Sequence, residues 1–438
     1  MKNRLIIIIG TIILSHLSFS QDSDTLQLTL IKTIEGNISP KSIVQGTKTR
    51  FFAQNMMYQH SVTVYDAEGN LIKTISDEVD GSLLDPAFSG KYRGAPVEAA
   101  VTFNGRYLWV SNYEMFGKGF HKPGRDNCRI KDTYDKSYLY KINTSTLAIE
   151  ESAKTGCIPK YVAVTANNKY VLVTNWCSGD LSIINTANGE TVQQIFLGKY
   201  PRGIAIEPSS KYAWVAVMGD KKIAKVNLET LEIDKWYDVG RGPRHLCLRA
   251  DTLYISLNKD NKIVKFNTRK GTKIGSVRTG KAPRSMVLSR DGQYLYVVNY
   301  KSNTMSKVRA SDMSIIESVK TKSHPIGITF DPFTENIWVA CYSGAIQIFH
   351  DGAIPKQIIQ QPKDEAEGPY HIVIGSFKIK SNADRELQRC NELGYNTKII
   401  MKNDFYCLSG RRFDDLMEAR NALKKIYRDF PQAWVMKK

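Results

Sequence analysis

The stretch LGKYPRGIAI, residues 197–206, decides how the chain is read. Glycine, two variable residues, proline and a basic residue lead into Gly203-Ile204-Ala205-Ile206, where small and branched side chains alternate as in a strand. Variants of the phrase stand at TGCIPKYVAV (155–164), VGRGPRHLCL (239–248), TGKAPRSMVL (279–288) and TKSHPIGITF (321–330). Their prolines, at 159, 201, 243, 283 and 325, are spaced 42, 42, 40 and 42 residues apart. A fixed period of that length marks an array of repeated units. Two weaker copies precede them, RGAPVEAAV with Pro96 and NISPKSIV with Pro40, which makes seven units. The 63 residues from Pro96 to Pro159 are one period plus an insertion of 21.

Each unit continues alike. After a turn such as EPSSK comes a second strand: YLWVSN (107–112), YVLVTN (170–175), YAWVAV (212–217), LYISLN (253–258), YLYVVN (294–299) and NIWVAC (336–341). Aromatic and β-branched residues at period two read as strand. A third strand follows, as in LSIIN, KIAKVN, KIVKFN and TMSKVR, and then a turn and a fourth, as in ETVQQI. Four antiparallel strands per forty-odd residues, seven times, predict an all-β seven-bladed propeller over residues 25–360, closed so that no long edge is bare. Two segments compete to close the ring: LTLIKTIEG (28–36) and PKQIIQ (355–360).

The YVTN-type second strand and the Gly-x-x-Pro phrase resemble the YVTN-repeat propeller family, which implies fold and little about activity. Glycine suits the tight fourth-to-first turn, and proline starts the inner strand without needing a ladder donor. The residue after proline is Lys41, Val97, Lys160, Arg202, Arg244, Arg284 or Ile326, basic in five units of seven. Two readings are open for these positions: a solvated charge ring, or a converging cationic rim that draws an anionic ligand or partner to the axis. The insertion, residues 113–136, falls in a second-to-third loop on the same face and brings Lys122 and Arg125 there.

The first twenty residues carry Lys2, Arg4, an apolar run from Leu5 to Leu14 and small residues before Gln21. They read as a secretory signal peptide cut after Ser20, and as a periplasmic address; the alternative is an uncleaved anchor. The formal net charge of +18 favours anionic partners, and secretion argues against nucleic acid. Disulfides are permitted there. Among the seven cysteines, Cys157 and Cys177 sit at paired strand ends and are the favoured bridge, with Cys128–Cys157 as the other pairing. No close-spaced metal motif and no catalytic set stands out, so neither metal nor cofactor is expected. His245 and His324, at the same mouth, are the residues an acid–base or metal role would use.

QPKDEAEGP (361–369) is a polar linker, and residues 370–438 then read strand, helix, strand, strand, helix, strand. Ala383, Leu387 and Cys390 share one helical face, and Leu416, Ala419, Leu423 and Ile426 another. The expectation is a small α+β domain, a four-stranded antiparallel sheet in βαββαβ order with both helices on one side. YHIVIGSF, GYNTKII, YCLSGRRF and FPQAWVMK together resemble the SPOR domain. The resemblance implies a peptidoglycan-binding module that recognises glycan strands stripped of stem peptides, as at division sites. Alternation puts Ile372, Ile374, Leu408 and Val435 under the helices and His371, Val373, Cys407, Ser409 and Trp434 on the open side, with Arg411 and Arg412 at the sheet end. Trp434 is suited to stack on a sugar ring.

These expectations combine into a noncatalytic envelope protein that binds peptidoglycan through its C-terminal domain, while the propeller offers a basic face to a second partner. The alternative is a propeller enzyme, hydrolase-, lyase- or lactonase-like, acting on a wall fragment or small molecule and delivered by the same module.

Overall fold

The computed structural model describes residues 27–352 and 369–437, apart from 48, 131, 393–396, 414, 427–429 and 431. The segment expected to be a signal peptide, the candidate closing strand 355–360 and residues 361–368 of the linker lie outside the described residues.

Seven four-stranded antiparallel sheets follow one another along residues 28–351. The third is typical: Pro159–Val164, Tyr170–Asn175, Asp180–Asn185 and Thr191–Phe196, laid side by side in that order. Every sheet begins at its proline, with first strands Pro40–Thr47, Pro96–Val101, Pro159–Val164, Pro201–Ile206, Pro243–Arg249, Pro283–Leu288 and Pro325–Phe330. Each first strand packs against the first strand of the next sheet, and the seventh packs against the first. The sheets therefore form a closed ring with the first strands at its axis.

Closure uses the N-terminal segment. Leu28–Glu35 pairs antiparallel with Ala345–Asp351 and becomes the outer strand of the seventh sheet, Leu28 opposite Asp351 and Glu35 opposite Ala345. The long spacing from Pro40 to Pro96 is taken up by a separate ribbon, Glu78–Asp80 against Lys91–Arg93, with a short 3-10 turn between.

Apolar side chains of adjacent sheets interdigitate, so the core lies between blades. Leu172, Leu181 and Ile183 of the third sheet pack with Ile204, Val215 and Val217 of the fourth. Trp109, Trp214 and Trp338, all on second strands, are fully buried, and Phe51 stacks on Trp338 at 4.1 Å. Burying a side chain of this size stabilises by roughly 1.5–3 kcal/mol.

The repeated loop has a physical reason. The residue before proline takes a left-handed backbone at Ile158, Tyr200, Ala282 and His324, with φ of 52°, 63°, 56° and 57°. Its carbonyl accepts the N–H of the residue just beyond the second strand: Trp176, Met218, Tyr300 and Tyr342, at 2.9–3.1 Å. The glycine is needed for close approach: a Cβ on Gly156 would lie 2.7 Å from Cγ of Asn175, which ends the second strand and donates to Asp180 and Ser182.

The C-terminal domain has the sheet order Lys398–Lys402, Phe405–Phe413, Tyr370–Phe377, Trp434–Lys437, all antiparallel. Helices α1 (Lys380–Glu392) and α2 (Leu416–Ile426) cover one side. Ile372, Ile374 and Leu408 meet Ala383, Cys390, Ala419 and Leu423 there, with Val435 at the margin. Asp415 caps α2, accepting the N–H groups of Met417 (2.8 Å) and Glu418 (2.9 Å).

Candidate functional site

In all seven first strands the pairing slips just after the proline, between Pro159 and Val162 or Pro201 and Ile204, for example. Such a bulge re-aims the side chain that follows. Second-strand hydroxyls then pin the backbone of that residue in the next sheet. Ser111 Oγ donates to the Lys160 carbonyl (2.9 Å), Thr174 Oγ1 to that of Arg202 (2.7 Å) and Ser256 Oγ to that of Arg284 (2.9 Å). The channel is tight between inner strands: a Cβ on Gly203 would lie 2.7 Å from the Arg244 carbonyl oxygen.

The result is an axial chamber of cations. Lys160 and Arg202 are each 4% exposed and Arg244 is 8% exposed, while Lys41 and Arg284 are half-buried. Three of the five are thus largely withdrawn from solvent. Burial and mutual repulsion set the charges. Lys41 and Arg244 are pushed well below their ordinary values, by burial first and then by their cationic neighbours. Burial takes Lys160 down to about 7 and Arg284 to about 10. Val97 and Ile326, at the two apolar positions of the series, are buried.

Two carboxylates enter this chamber. Glu98, next to Val97, is buried and accepts from Arg202 Nη2 at 3.1 Å. Burial raises its pKa, against the pull of Arg202, Arg244, Lys41 and Lys160. Asp126 comes from the 113–136 insertion and reaches Lys160 Nζ at 3.1 Å although its side chain is 78% exposed. Partial desolvation beside Lys160 would raise its pKa, but Lys160, with Lys41 and Arg202 behind it, holds it at about 2. The other cations lie on soft groups. Lys41 Nζ sits 4.5 Å over Tyr342, the Arg284 guanidinium 3.5 Å over Tyr300, and Arg244 Nη1 3.4 Å from Met218 Sδ. Lys160 also lies 4.1 Å over Tyr113.

The insertion contributes Asp126 to the chamber. Lys122 and Arg125 are exposed and touch none of the chamber cations. Trp176 Nε1 donates to the Asp126 carbonyl (2.9 Å), Tyr200 Oη to the Cys128 carbonyl (3.0 Å), and Trp176 stacks on Tyr200 at 4.3 Å. The disulfide corrects both pairings drawn from the sequence: it joins Cys128 to Cys177, with a Cα separation of 5.7 Å, and Cys157 is a free, buried thiol. The Cys157 and Cys177 backbones do pair, N–H to carbonyl at 3.1 Å, but the Cys157 thiol lies against Gly124 while Cys128 folds over Cys177.

His245 is half-buried, its Nε2 3.1 Å from Tyr161 Oη, and desolvation with Arg202 and Arg244 lowers its pKa to about 3. His324 is exposed, against Ser323 and Tyr300. No group of three metal-ligating side chains occurs among the described residues. Asp126, Glu98 and Tyr161 were missed by sequence reasoning, because nothing in the repeat distinguishes them.

In the C-terminal domain, His371, Val373, Cys407, Ser409 and Trp434 do lie on the face away from the helices, and His371 Nδ1 is 2.9 Å from Ser409 Oγ. Only Trp434, 38% exposed, presents surface; the other four are buried. Each is flanked in register by a larger side chain: Val373 by Trp434, His371 by Met436 and Arg412, Ser409 by Lys398, Cys407 by Ile400. The accessible part of this face includes Trp434, Lys398 and Ser376, with Arg412 half-buried at the sheet end; the side chain of Arg411 lies outside the described residues.

Comparison with known proteins agrees with this geometry. Residues 366–437 match the SPOR domain family. The WD40 β-propeller domain of Doa1 superposes with a TM-score of 0.57 at 12% identity, covering 76% of this chain and 98% of that one, a likeness of fold alone. Hydrazine synthase subunit beta of Kuenenia stuttgartiensis is 28% identical over 172 residues, 34% of this chain and 40% of that protein. The chain thus spans less than half the length of that relative. The C-terminal segment is a SPOR domain, and the rest of the described chain has a propeller fold.

Proposed function

We propose that this protein is a noncatalytic component of the bacterial envelope that binds peptidoglycan glycan strands through residues 366–437 and offers the basic axis of its propeller to a second, anionic partner. The observation that carries the reading is the SPOR match, laid on a four-stranded sheet whose helix-free face exposes Trp434. Trp434 stacks on a sugar face, and Arg412 and Lys398 bond hydroxyls or carboxyls beside it. SPOR domains favour strands without stem peptides, so the protein gathers at division sites. The N-terminal Lys2, Arg4 and apolar run support delivery to the periplasm. No helix among the described residues is long and apolar enough to cross a membrane.

The test is co-sedimentation with purified wall sacculi. The chain from residue 21 to 438 is expected to pellet, more strongly after stem peptides are removed with an amidase. The chain ending at residue 352 is expected to stay in the supernatant, and equal pelleting of both would overturn the assignment.

A further inference from the structure

The charges in the axial chamber do not balance. Five cations from five blades converge there, and Lys160, Arg202, Arg244 and Arg284 each lower the proton affinity of others across the axis. Glu98 is committed to Arg202 and Asp126 to Lys160. Lys41, Arg244 and Arg284 have no carboxylate partner among the described residues, and Arg284 Nε is buried without a hydrogen-bond acceptor. A buried charge without a counter-charge is costly, and like charges held together raise that cost. The fold nevertheless builds the arrangement deliberately, with a bulge after each proline and hydroxyls fixing the Lys160, Arg202 and Arg284 carbonyls.

We propose that the axial chamber is a binding site for a small ligand bearing a multiply charged oxyanion, a phosphate monoester or a polycarboxylate, gripped by Arg244 and Arg284 with Lys41 closing the third side. The proposal rests on the reading of the propeller axis as basic and deepens it by naming the ligand class. Enclosure decides the size. Lys160, Arg202 and Arg244 are more than nine-tenths buried, so the flat surface of a protein partner cannot reach them. Tyr113, Trp176, Tyr300 and Tyr342 narrow the approach as they hold the cations. A guanidinium presents paired donors that match a carboxylate or phosphate edge, which suits Arg244 and Arg284, two of the three positions lacking a carboxylate, to grip it.

The experiment titrates the chain with inorganic phosphate and, separately, with citrate, at constant ionic strength set by chloride, reading heat and thermal unfolding. The expected result is saturable one-to-one binding by at least one probe, with the unfolding midpoint rising with the logarithm of its concentration. Preference for phosphate or for citrate identifies the source of the oxyanion. Arg244→Met and Arg284→Gln are each expected to weaken binding at least about ten-fold, as loss of a charge-assisted hydrogen bond does. Without ligand both are expected to be at least as stable as the parent, since each removes repulsion. Should a variant fail to fold, the cations are structural and the proposal falls. It also falls if neither probe exceeds the chloride control. In that event the broader reading of a basic axis is judged separately, by binding of polyglutamate and its loss in the Arg202→Glu, Arg244→Glu double variant, and wall binding by sedimentation.

Discussion

Lys160 gives up its proton near pH 7 in the folded chain, because burial outweighs Asp126 and because Arg202 and Arg244 push in the same direction as burial. In the unfolded chain the same group titrates near 10.5. Between those values the unfolded chain binds more protons, so stability rises as pH rises through that window. Replacing Lys160 with Met removes that dependence and strands no buried charge, since Asp126 is largely exposed. The Lys160→Met variant is therefore expected to exceed the parent in urea midpoint at pH 7, with the excess shrinking steadily toward pH 10, measured in phosphate-free buffer. A gap that stays constant from pH 7 to pH 10 would show that the lysine is not desolvated in the folded protein. The identity of such residues was legible in the sequence, since the position after each proline is marked by the repeat. Their burial was not, because the bulge that turns them to the axis leaves no trace in composition. Asp126 and Glu98 escaped for a different reason: each is a lone carboxylate whose meaning depends on a cation from another blade.

The insertion between Asn112 and Tyr138 has few backbone bonds to the sheets, the Arg93–Phe116 bridge among them, and is strapped down at its far end by Cys128–Cys177. That bridge closes a loop with a sequence separation of 49, which in the chain-entropy model corresponds to about 4 kcal/mol. Asp126 stands two residues from Cys128, so the strap also sets the carboxylate beside Lys160. Replacing Cys128 and Cys177 with serine is expected to make Lys118, Arg125 and Arg129 fast trypsin sites while the blades resist digestion. Unchanged protection across 113–136 would mean that the Trp176 and Tyr200 contacts hold the loop without the disulfide. The pairing was misread because strand-end proximity fixes backbones and not thiol directions, as Cys157 shows. The blade strands themselves were legible down to single residues, because proline, aromatic and asparagine recur at fixed offsets. One recurring lysine was visible and passed over. Lys141, Lys265 and Lys307 hold the same place on third strands, and each reaches the next blade: the Thr186 carbonyl, the Ala310 and Ser311 carbonyls, and Asp351.

Ring closure makes the stability of the disc depend on residues more than three hundred apart in sequence. Leu28–Glu35 covers the edge of Ala345–Asp351, and the Leu28 N–H donates to Glu317 of the sixth sheet at 2.8 Å. Across the seam between the sixth and seventh sheets Lys307 and Tyr296 both bond Asp351, the residue opposite Leu28. From the sequence alone the two candidate closing strands were equivalent, since both alternate and both border the array; only pairing in space separates them. The physical consequence is asymmetric. Any N-terminal processing has to spare Leu28, and a cut after Ser20 does so. Without the outer strand, Ala345–Asp351 would present unpaired N–H and C=O groups along an apolar edge, a template for association. A chain starting at residue 37 is expected to elute as oligomers on size exclusion and to unfold at a lower denaturant midpoint, while a chain ending at residue 352 elutes as the compact disc. If the chain starting at 37 matched the parent in both elution and midpoint, closure through the N-terminal strand would be wrong. A ring so closed holds its axial cations at fixed separation, because no blade can move outward without breaking the seam that joins the chain's beginning to the last blade.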